Sequence, residues 1–143
     1  MKNALRIVVV LAVVGVVLFL VNEANFVENK FASWDEVKSA RPGSRAGIPE
    51  WLPPASTQIH HLHNLDTSKF MVRFEMPEDT KVSLPDSCRK AIASELLPPS
   101  MSRDWWPKDM PPRAIENRQH AFYQCADGRL AAISKTQGYV WTP

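Results

Sequence analysis

The chain has little cysteine and little glycine, with two and five residues respectively in a total of 143. The cysteines, Cys88 and Cys125, do not form a C-x-x-C pair, which argues against a redox motif or a thiolate metal site. An excess of one charge is also lacking, because 17 Lys and Arg nearly balance 15 Asp and Glu. This balance argues against nucleic acid as a partner.

The short motifs that mark common enzymes are absent as well. The sequence contains no nucleophile elbow, no P-loop, no dinucleotide-binding fingerprint and no H-E-x-x-H zinc motif. Asp104 and Asp109 flank Trp105 and Trp106 and could be imagined as a catalytic carboxylate pair, but acidic loop residues beside basic ones are more often solvated. We therefore predict no catalytic residue, no enzymatic activity and no cofactor.

One long apolar run begins the chain, from Ile7 to Val21 behind Lys2 and Arg6. Counted over residues 4–21, a helix at ~1.5 Å per residue would cover about 27 Å, close to the ~30 Å hydrocarbon core of a bilayer. A single span in lipid can satisfy its backbone hydrogen bonds only as a helix. The run therefore predicts a transmembrane helix, with the lipid bilayer as its partner.

A cleaved signal peptide is the alternative for this segment. A cut after Ala24 would place Asn22 at the outer specificity position, where a small residue is expected, so a retained anchor is preferred. Basic residues before the run and acidic residues after it indicate a cytoplasmic N-terminus. The prediction is a single-pass inner-membrane protein with three parts: a cytoplasmic stub and anchor (1–25), a juxtamembrane helix and linker (26–47) and a periplasmic α+β domain (48–143).

The two cysteines are interpreted through that location. In an oxidising exported compartment, a lone pair of cysteines is most simply a disulfide between Cys88 and Cys125. Such a bond would stabilise the domain by roughly 3–4 kcal/mol in the chain-entropy model. Two buried free thiols are the alternative.

Two helices are predicted after the anchor. Residues 25–40 are expected to form a short amphipathic helix, in which Ser33 and Glu36 make a capping box. Residues 86–97 are expected to form the main helix of the domain, with Asp86 as its N-cap. Both predictions depend on apolar residues at helical spacing: Val27, Phe31, Trp34 and Val37 in the first helix, and Cys88, Ala91, Ile92 and Leu96 in the second.

The other elements are predicted as antiparallel strands. Phe70, Val72 and Phe74 alternate with other residues, which is typical of a strand with one buried face, and Asp66 is placed for an Asx turn before it. The predicted fold class is α+β: an N-terminal transmembrane helix followed by a small antiparallel sheet with one main helix. The sheet consists of a hairpin (57–65 and 69–76) and a three-stranded meander (121–125, 130–134 and 139–141), with a Pro/Trp-rich loop at 98–114.

Three histidines invite a metal hypothesis. His61 and His63 would point to the same face of a strand and could chelate zinc with Asp66 or His120 as a third ligand, whereas His60 would point away. A pair of histidines with no defined third ligand is a weak signal, and a solvated strand face explains it better. We therefore predict no metal site and keep His61 and His63 as weak candidates.

Tryptophan and proline give the better functional signal. Four tryptophans, with proline-rich connections around them, could line a groove for a peptide or a partner protein: Trp51, Trp105, Trp106 and Trp141. The alternative is that the rings cover a thin sheet that one helix cannot cover alone. Trp105 and Trp106 are the pair expected to be partly exposed.

Four segments of the sequence stand out together: Ser33-Trp34-Asp35-Glu36-Val37, Ile48-Pro49-Glu50-Trp51-Leu52-Pro53-Pro54-Ala55-Ser56 with Ile59, His63-Asn64-Leu65-Asp66-Thr67, and Arg73-Phe74. In this order they resemble an uncharacterised group of small bacterial membrane-anchored or lipoprotein domains. The likeness covers roughly residues 33–76 well and the C-terminal meander loosely. It implies a location and a fold, together with a structural turn at Leu65-Asp66-Thr67, and it transfers no active site.

The sequence thus predicts a membrane-anchored periplasmic subunit that binds a protein or a peptide within an envelope complex, or an immunity-type inhibitor. A second hypothesis is a small metal-binding or hydrolytic envelope enzyme that uses His61, His63 and Asp66. A third is a purely structural subunit of a membrane complex. The sequence leaves the partner and the oligomeric state open.

Overall fold

The computed structural model describes residues 2–111 and 119–143. Helix α1 runs from Lys2 to Ala24, and its side chains are described at residues 6–18. Among the described residues, no helix has both the length and the apolar character that crossing a membrane requires.

This finding contradicts four linked predictions: the transmembrane helix at residues 4–21, the signal-anchor, the bilayer as a partner and the single-pass inner-membrane location. The side chains at positions 4, 5 and 19–21 of the predicted span lie outside the described residues, as do residues 112–114 of the predicted loop.

In the described part of the chain, seven strands form one sheet in which every neighbouring pair is antiparallel. The spatial order is β1-β2-β3-β7-β6-β5-β4, so the hairpin and the meander join where β3 pairs with β7. A short helix, α2, follows β1 from Trp34 to Ser39. The strands are β1 (Phe26–Ser33), β2 (Thr57–Asn64), β3 (Phe70–Glu75), β4 (Cys88–Lys90), β5 (Ala121–Cys125), β6 (Leu130–Ile133) and β7 (Gln137–Trp141); one-turn 3₁₀ helices lie at Pro42–Arg45 and Ala93–Glu95.

Both helices predicted after the anchor are wrong over most of their length. Residues 26–33 form strand β1, and only residues 34–39 are helical. Residues 86–97 contain strand β4 and one 3₁₀ turn in place of the main helix. The α+β description with one main helix is therefore replaced by a mostly antiparallel sheet. Pairing with distant strands makes both segments extended, because Phe31 pairs with Ile59 and Cys88 pairs with Cys125.

The predicted hairpin and the predicted meander are both present. The turn of the hairpin differs from the prediction in one detail, which is the residue that makes the Asx-type bonds. Asn64 is the residue that closes it, since its Oδ1 accepts hydrogen bonds from the backbone amides of Asp66 and Thr67. The carboxylate of Asp66 accepts instead from the side-chain amide of Asn25, which holds the turn against the end of α1.

Segments that connect the strands cover both faces of the sheet. On the first, the helix face, α2 and the segment 42–56 cover Ile59, Phe70, Val72 and Phe74. On the second, the tryptophan face, the segment 91–111 covers Leu62, Met71, Leu130 and Trp141. Indole Nε1 of Trp141 donates to the carbonyl of Leu97 at 2.8 Å, which fixes this second layer to the centre of the sheet.

The predicted disulfide between Cys88 and Cys125 is present. The two cysteines are opposite each other on β4 and β5, so the bond joins the last two strands of the sheet. Strand β4 has only three residues, and three residues of pairing would hold it weakly. The covalent link therefore keeps β4 at this edge.

Candidate functional site

A groove of about 520 Å³ lies on the helix face, between α2 and the segment that follows it. Its apolar surface comes from the half-buried Trp34 and from Val37 and Ile48, which are buried. Charged side chains are also part of the lining. The complete lining is Trp34, Val37, Lys38, Pro42, Arg45, Gly47, Ile48 and Glu50.

The first wall of the groove is α2, and local sequence fixes its start. Ser33 is the N-cap, and its hydroxyl accepts a hydrogen bond from the amide of Glu36 at 3.3 Å. The carboxylate of Glu36 accepts a hydrogen bond from the backbone amide of Ala32 at 2.6 Å. In a standard capping box the donor would be the amide of the N-cap, Ser33, so the reciprocal bond is displaced by one residue. With the helix start fixed, Trp34 and Val37 lie on the side of α2 that borders the groove.

The second wall is held down by two polar side chains from the sheet. Asn29 donates from its side-chain amide to the carbonyl of Ser44, and His61 donates from Nε2 to the carbonyl of Ala46 at 2.8 Å. Gly47 has a φ of +86°, and a Cβ there would press on the ring of Phe70 at 2.8 Å. Glycine is therefore required at this bend, both for its backbone conformation and for the close approach.

The rim of the groove carries more positive than negative charge. Lys38 and Arg45 are exposed cations, and Glu50 is the one carboxylate among the lining residues. Lys38 makes an ion pair with Asp35 at 2.7 Å, but both side chains are largely exposed and such pairs contribute little. The groove thus offers an apolar floor with a net positive rim.

The histidines of β2 do not form the metal site that the sequence suggested. His61 and His63 do share the helix face, with ring centroids 6.1 Å apart. His61 is fully buried, and this burial lowers its pKa from 6.5 to about 4. Its Nε2 is already used by Ala46, and within residues 2–111 and 119–143 no three metal-binding side chains lie together.

The proposed third ligands lie elsewhere. Asp66 is hydrogen-bonded to Asn25 at the turn. His120 contacts the ring of Tyr139 on the tryptophan face, at a centroid distance of 5.7 Å. His60 also lies on that face, where its ring is 5.5 Å from Trp105. The structure therefore brings His61 and His63 together and leaves Asp66 and His120 apart from them.

The two adjacent tryptophans have different environments. Trp106 is only 6% exposed and packs edge-on against Tyr139 and Trp141. Trp105 is half-buried, and its Nε1 donates to Glu28 at 2.7 Å. The expectation of partial exposure thus holds for Trp105 alone. Trp51, the third predicted partner residue, is half-buried against the core of the helix face.

Glu28 is a structural link that sequence reasoning missed. Its carboxylate accepts from Nε1 of Trp105 and from Nε of Arg103 at 3.0 Å. Burial acts to raise the pKa of Glu28, but these hydrogen bonds and the charge of Arg103 outweigh it and hold the pKa below its usual value. No local pattern could have indicated this contact, because the residues are about 75 positions apart.

The part of the chain that contains the groove has a recognisable relative. Residues 26–75 match the YbbD head domain, a small bacterial domain family. The match covers 50 of the 143 residues, from β1 to the end of β3, and includes every residue that lines the groove. It supports the expected likeness of residues 33–76 to a small bacterial domain. No curated protein and no solved structure matches the chain.

Proposed function

We propose that this protein is a protein- or peptide-binding subunit that acts in the cell envelope, and that it binds its partner in the groove beside α2. The observation that carries the proposal is the groove itself, which places the half-buried Trp34 beside Ile48. Exposed aromatic rings with apolar neighbours and a polar rim are the usual anchor points of protein interfaces.

The chemistry of the lining favours a particular kind of ligand. A large apolar side chain could insert between Trp34 and Ile48, and an acidic residue next to it would be attracted by Lys38 and Arg45. An extended segment of a partner protein with this pair of residues fits the groove best.

The disulfide supports a role in the envelope. Such bonds form and persist in oxidising compartments and are rare in the reducing cytosol. Here the bond joins β4 to β5 at the sheet edge. A protein that depended on it would fold reliably only outside the cytosol.

We propose binding without catalysis. Asp104 and Asp109 are exposed on the loop of the tryptophan face and do not face the groove. His61, the residue on which the metal or hydrolytic hypothesis depends most, supports the groove wall through Ala46. The purely structural hypothesis predicts that no ligand binds in the groove, and the experiment below separates it from ours.

The experiment uses the full chain to select binders from a random peptide library, followed by titration of the selected peptides. We expect enrichment of peptides with an aromatic or aliphatic residue next to Asp or Glu. Trp34→Ala should weaken their binding at least tenfold, and Arg45→Glu should weaken it severalfold. Trp105→Ala, a half-buried tryptophan on the opposite face, is the matched control and should leave affinity unchanged.

Two results would contradict the proposal. One is a library from which no peptide is enriched. The other is a set of selected peptides whose affinity is equally insensitive to Trp34→Ala and Trp105→Ala, since their binding site would then lie outside the groove. A thermal melt of each variant verifies that it is folded before its affinity is interpreted.

A further inference from the structure

The two edges of the sheet differ in length. Strand β4 at one edge has three residues, whereas β1 at the other edge has eight. An edge strand presents a row of backbone amides and carbonyls that no neighbouring strand uses. A long open edge such as β1 can accept another strand.

The residues of β1 that face outward follow from its pairing. The amide of Leu65 donates to the carbonyl of Asn25, so position 25 faces β2. In an antiparallel pair the direction of these groups alternates along the strand. The backbone groups of Glu28 and Lys30 therefore point away from the sheet. The bond from the Ala32 amide to the side chain of Glu36 agrees with this alternation.

We infer that β1 pairs with β1 of a second copy of this chain, antiparallel and about a two-fold axis at Asn29. In this arrangement Glu28 lies opposite Lys30 of the second copy, and Lys30 lies opposite Glu28 of the second copy. Each of these pairs exchanges two backbone hydrogen bonds. The two sheets then continue as one across the contact.

Charge selects this register over its neighbours. Only registers that place outward-facing residues opposite each other can form the backbone bonds. A shift of the second copy in one direction would place Glu28 opposite Glu28, and a shift in the other would place Lys30 opposite Lys30. Like charges directly opposite each other destabilise a strand pair, and opposite charges stabilise it. Charges on an edge strand normally discourage pairing, but this alternation of sign favours one specific partner.

The side chains around the contact are arranged to fit the pairing. Glu28 is oriented on the tryptophan face by Trp105 and Arg103. Lys30 is exposed and has no ion-pair partner in the described part of the chain. On the helix face, Val27 comes to lie opposite Phe31 of the second copy. The end of the contact is set at Ala32, whose amide is already bonded to Glu36.

The contact is small, and the dimer is accordingly weak. Pairing between positions 28 and 30 of both copies supplies four backbone bonds, well short of a standard protein interface. Association should therefore depend on protein concentration. The pairing uses no residue that lines the groove. The inference of a dimer can therefore be tested independently of the proposed function.

Charge reversal and its compensation test the inference by sedimentation velocity of the full chain over a range of concentrations. Lys30→Glu should lower the association constant at least tenfold, because both cross-strand pairs become Glu opposite Glu. The double variant Glu28→Lys with Lys30→Glu should associate more strongly than Lys30→Glu alone, because opposite charges again face each other across the contact. Recovery should be partial, since position 28 loses its bonds to Arg103 and Trp105. Lys90→Glu is the matched control, an exposed lysine on the opposite edge strand, and should sediment like the wild type.

A covalent trap gives an independent readout. Asn29 of one copy lies opposite Asn29 of the other as a non-hydrogen-bonded pair, with Cα atoms about 4.5 Å apart, a spacing that a disulfide can bridge. Mild oxidation of Asn29→Cys should give a linked dimer, and Lys90→Cys should give far less. A wild type that sediments as a monomer at every concentration would overturn the inference, as would an Asn29→Cys yield no higher than that of Lys90→Cys.

Discussion

Phe74 on β3 lies directly opposite Gly138 on β7, and its ring covers the glycine. Both residues are buried on the helix face at the place where the hairpin meets the meander. A side chain at position 138 would occupy the space that the Phe74 ring fills. At the junction between the two halves of the sheet, the ring of Phe74 thus packs directly on the backbone of Gly138.

Gly138→Ala should therefore destabilise the fold. The added methyl group would overlap the ring of Phe74 and force it or the strand to move, at a cost of about 1–3 kcal/mol. Urea denaturation followed by circular dichroism measures the change. Gly43→Ala is the control, since a Cβ there meets nothing within 4 Å. Equal stability of the two variants would show that the ring of Phe74 moves aside without cost.

The buried His61 should make stability depend on pH. Its pKa is lowered to about 4 in the folded chain, whereas the ordinary value is 6.5. The unfolded chain therefore takes up a proton at a higher pH than the folded chain does. The contribution to stability is fully present above pH 6.5 and is lost as the pH falls towards 4, by up to roughly 3 kcal/mol.

Denaturant titrations at pH 7.5 and at pH 4.5 measure this loss. His61→Gln should remove most of the difference between the two, because the glutamine amide can still donate to the carbonyl of Ala46 but does not titrate. His63→Gln is the control. His63 is only half-buried, so this variant should retain most of the pH dependence. The opposite ranking of the two variants would assign the effect to another group.

Reduction of the disulfide should weaken the sheet at the β4 edge. The bond closes a loop with a sequence separation of 37, which corresponds to roughly 4 kcal/mol in the chain-entropy model. Denaturation midpoints with and without reductant give the difference. The double variant Cys88→Ser with Cys125→Ser should match the reduced wild type and should not respond to reductant. An unchanged midpoint on reduction would mean that the bond does not constrain the unfolded chain.

Trp141 should be the most sensitive tryptophan of the fold. It is fully buried, and its Nε1 donates to the carbonyl of Leu97. Trp141→Phe removes this bond and leaves a cavity, at a cost of about 2–4 kcal/mol. Trp105→Phe, at a half-buried position, should cost about 1 kcal/mol or less. Thermal melts of the two variants compare them, and similar values would indicate that Trp141 is not central to packing.

The hairpin could be predicted from sequence because its signal is local. Phe70, Val72 and Phe74 alternate with other residues, and a turn precedes them within a few positions. The covering of both faces could not be predicted in the same way. Met71 is buried as completely as Val72, because the tryptophan face is covered by a segment that lies twenty or more residues further along the chain.

The helix wrongly predicted at residues 25–40 has a physical cause. Val27 and Phe31 are four positions apart, a spacing that places side chains on one face of a helix and equally on one face of a strand. Long-range pairing decided between them, with Val27 opposite His63 and Phe31 opposite Ile59. The groove could not be predicted either, since it depends on Trp34 and Ile48, which are brought together by the bend at Gly47.

The disulfide at β4 also has a consequence for how far an assembly of this chain can grow. It holds three residues over the side of β5 that would otherwise be open. A molecule with one long edge and one edge of only three residues offers a second copy much more backbone at β1 than at β4. The bond between Cys88 and Cys125 thus keeps the second edge of the sheet short, which favours a closed pair of copies over continued strand addition.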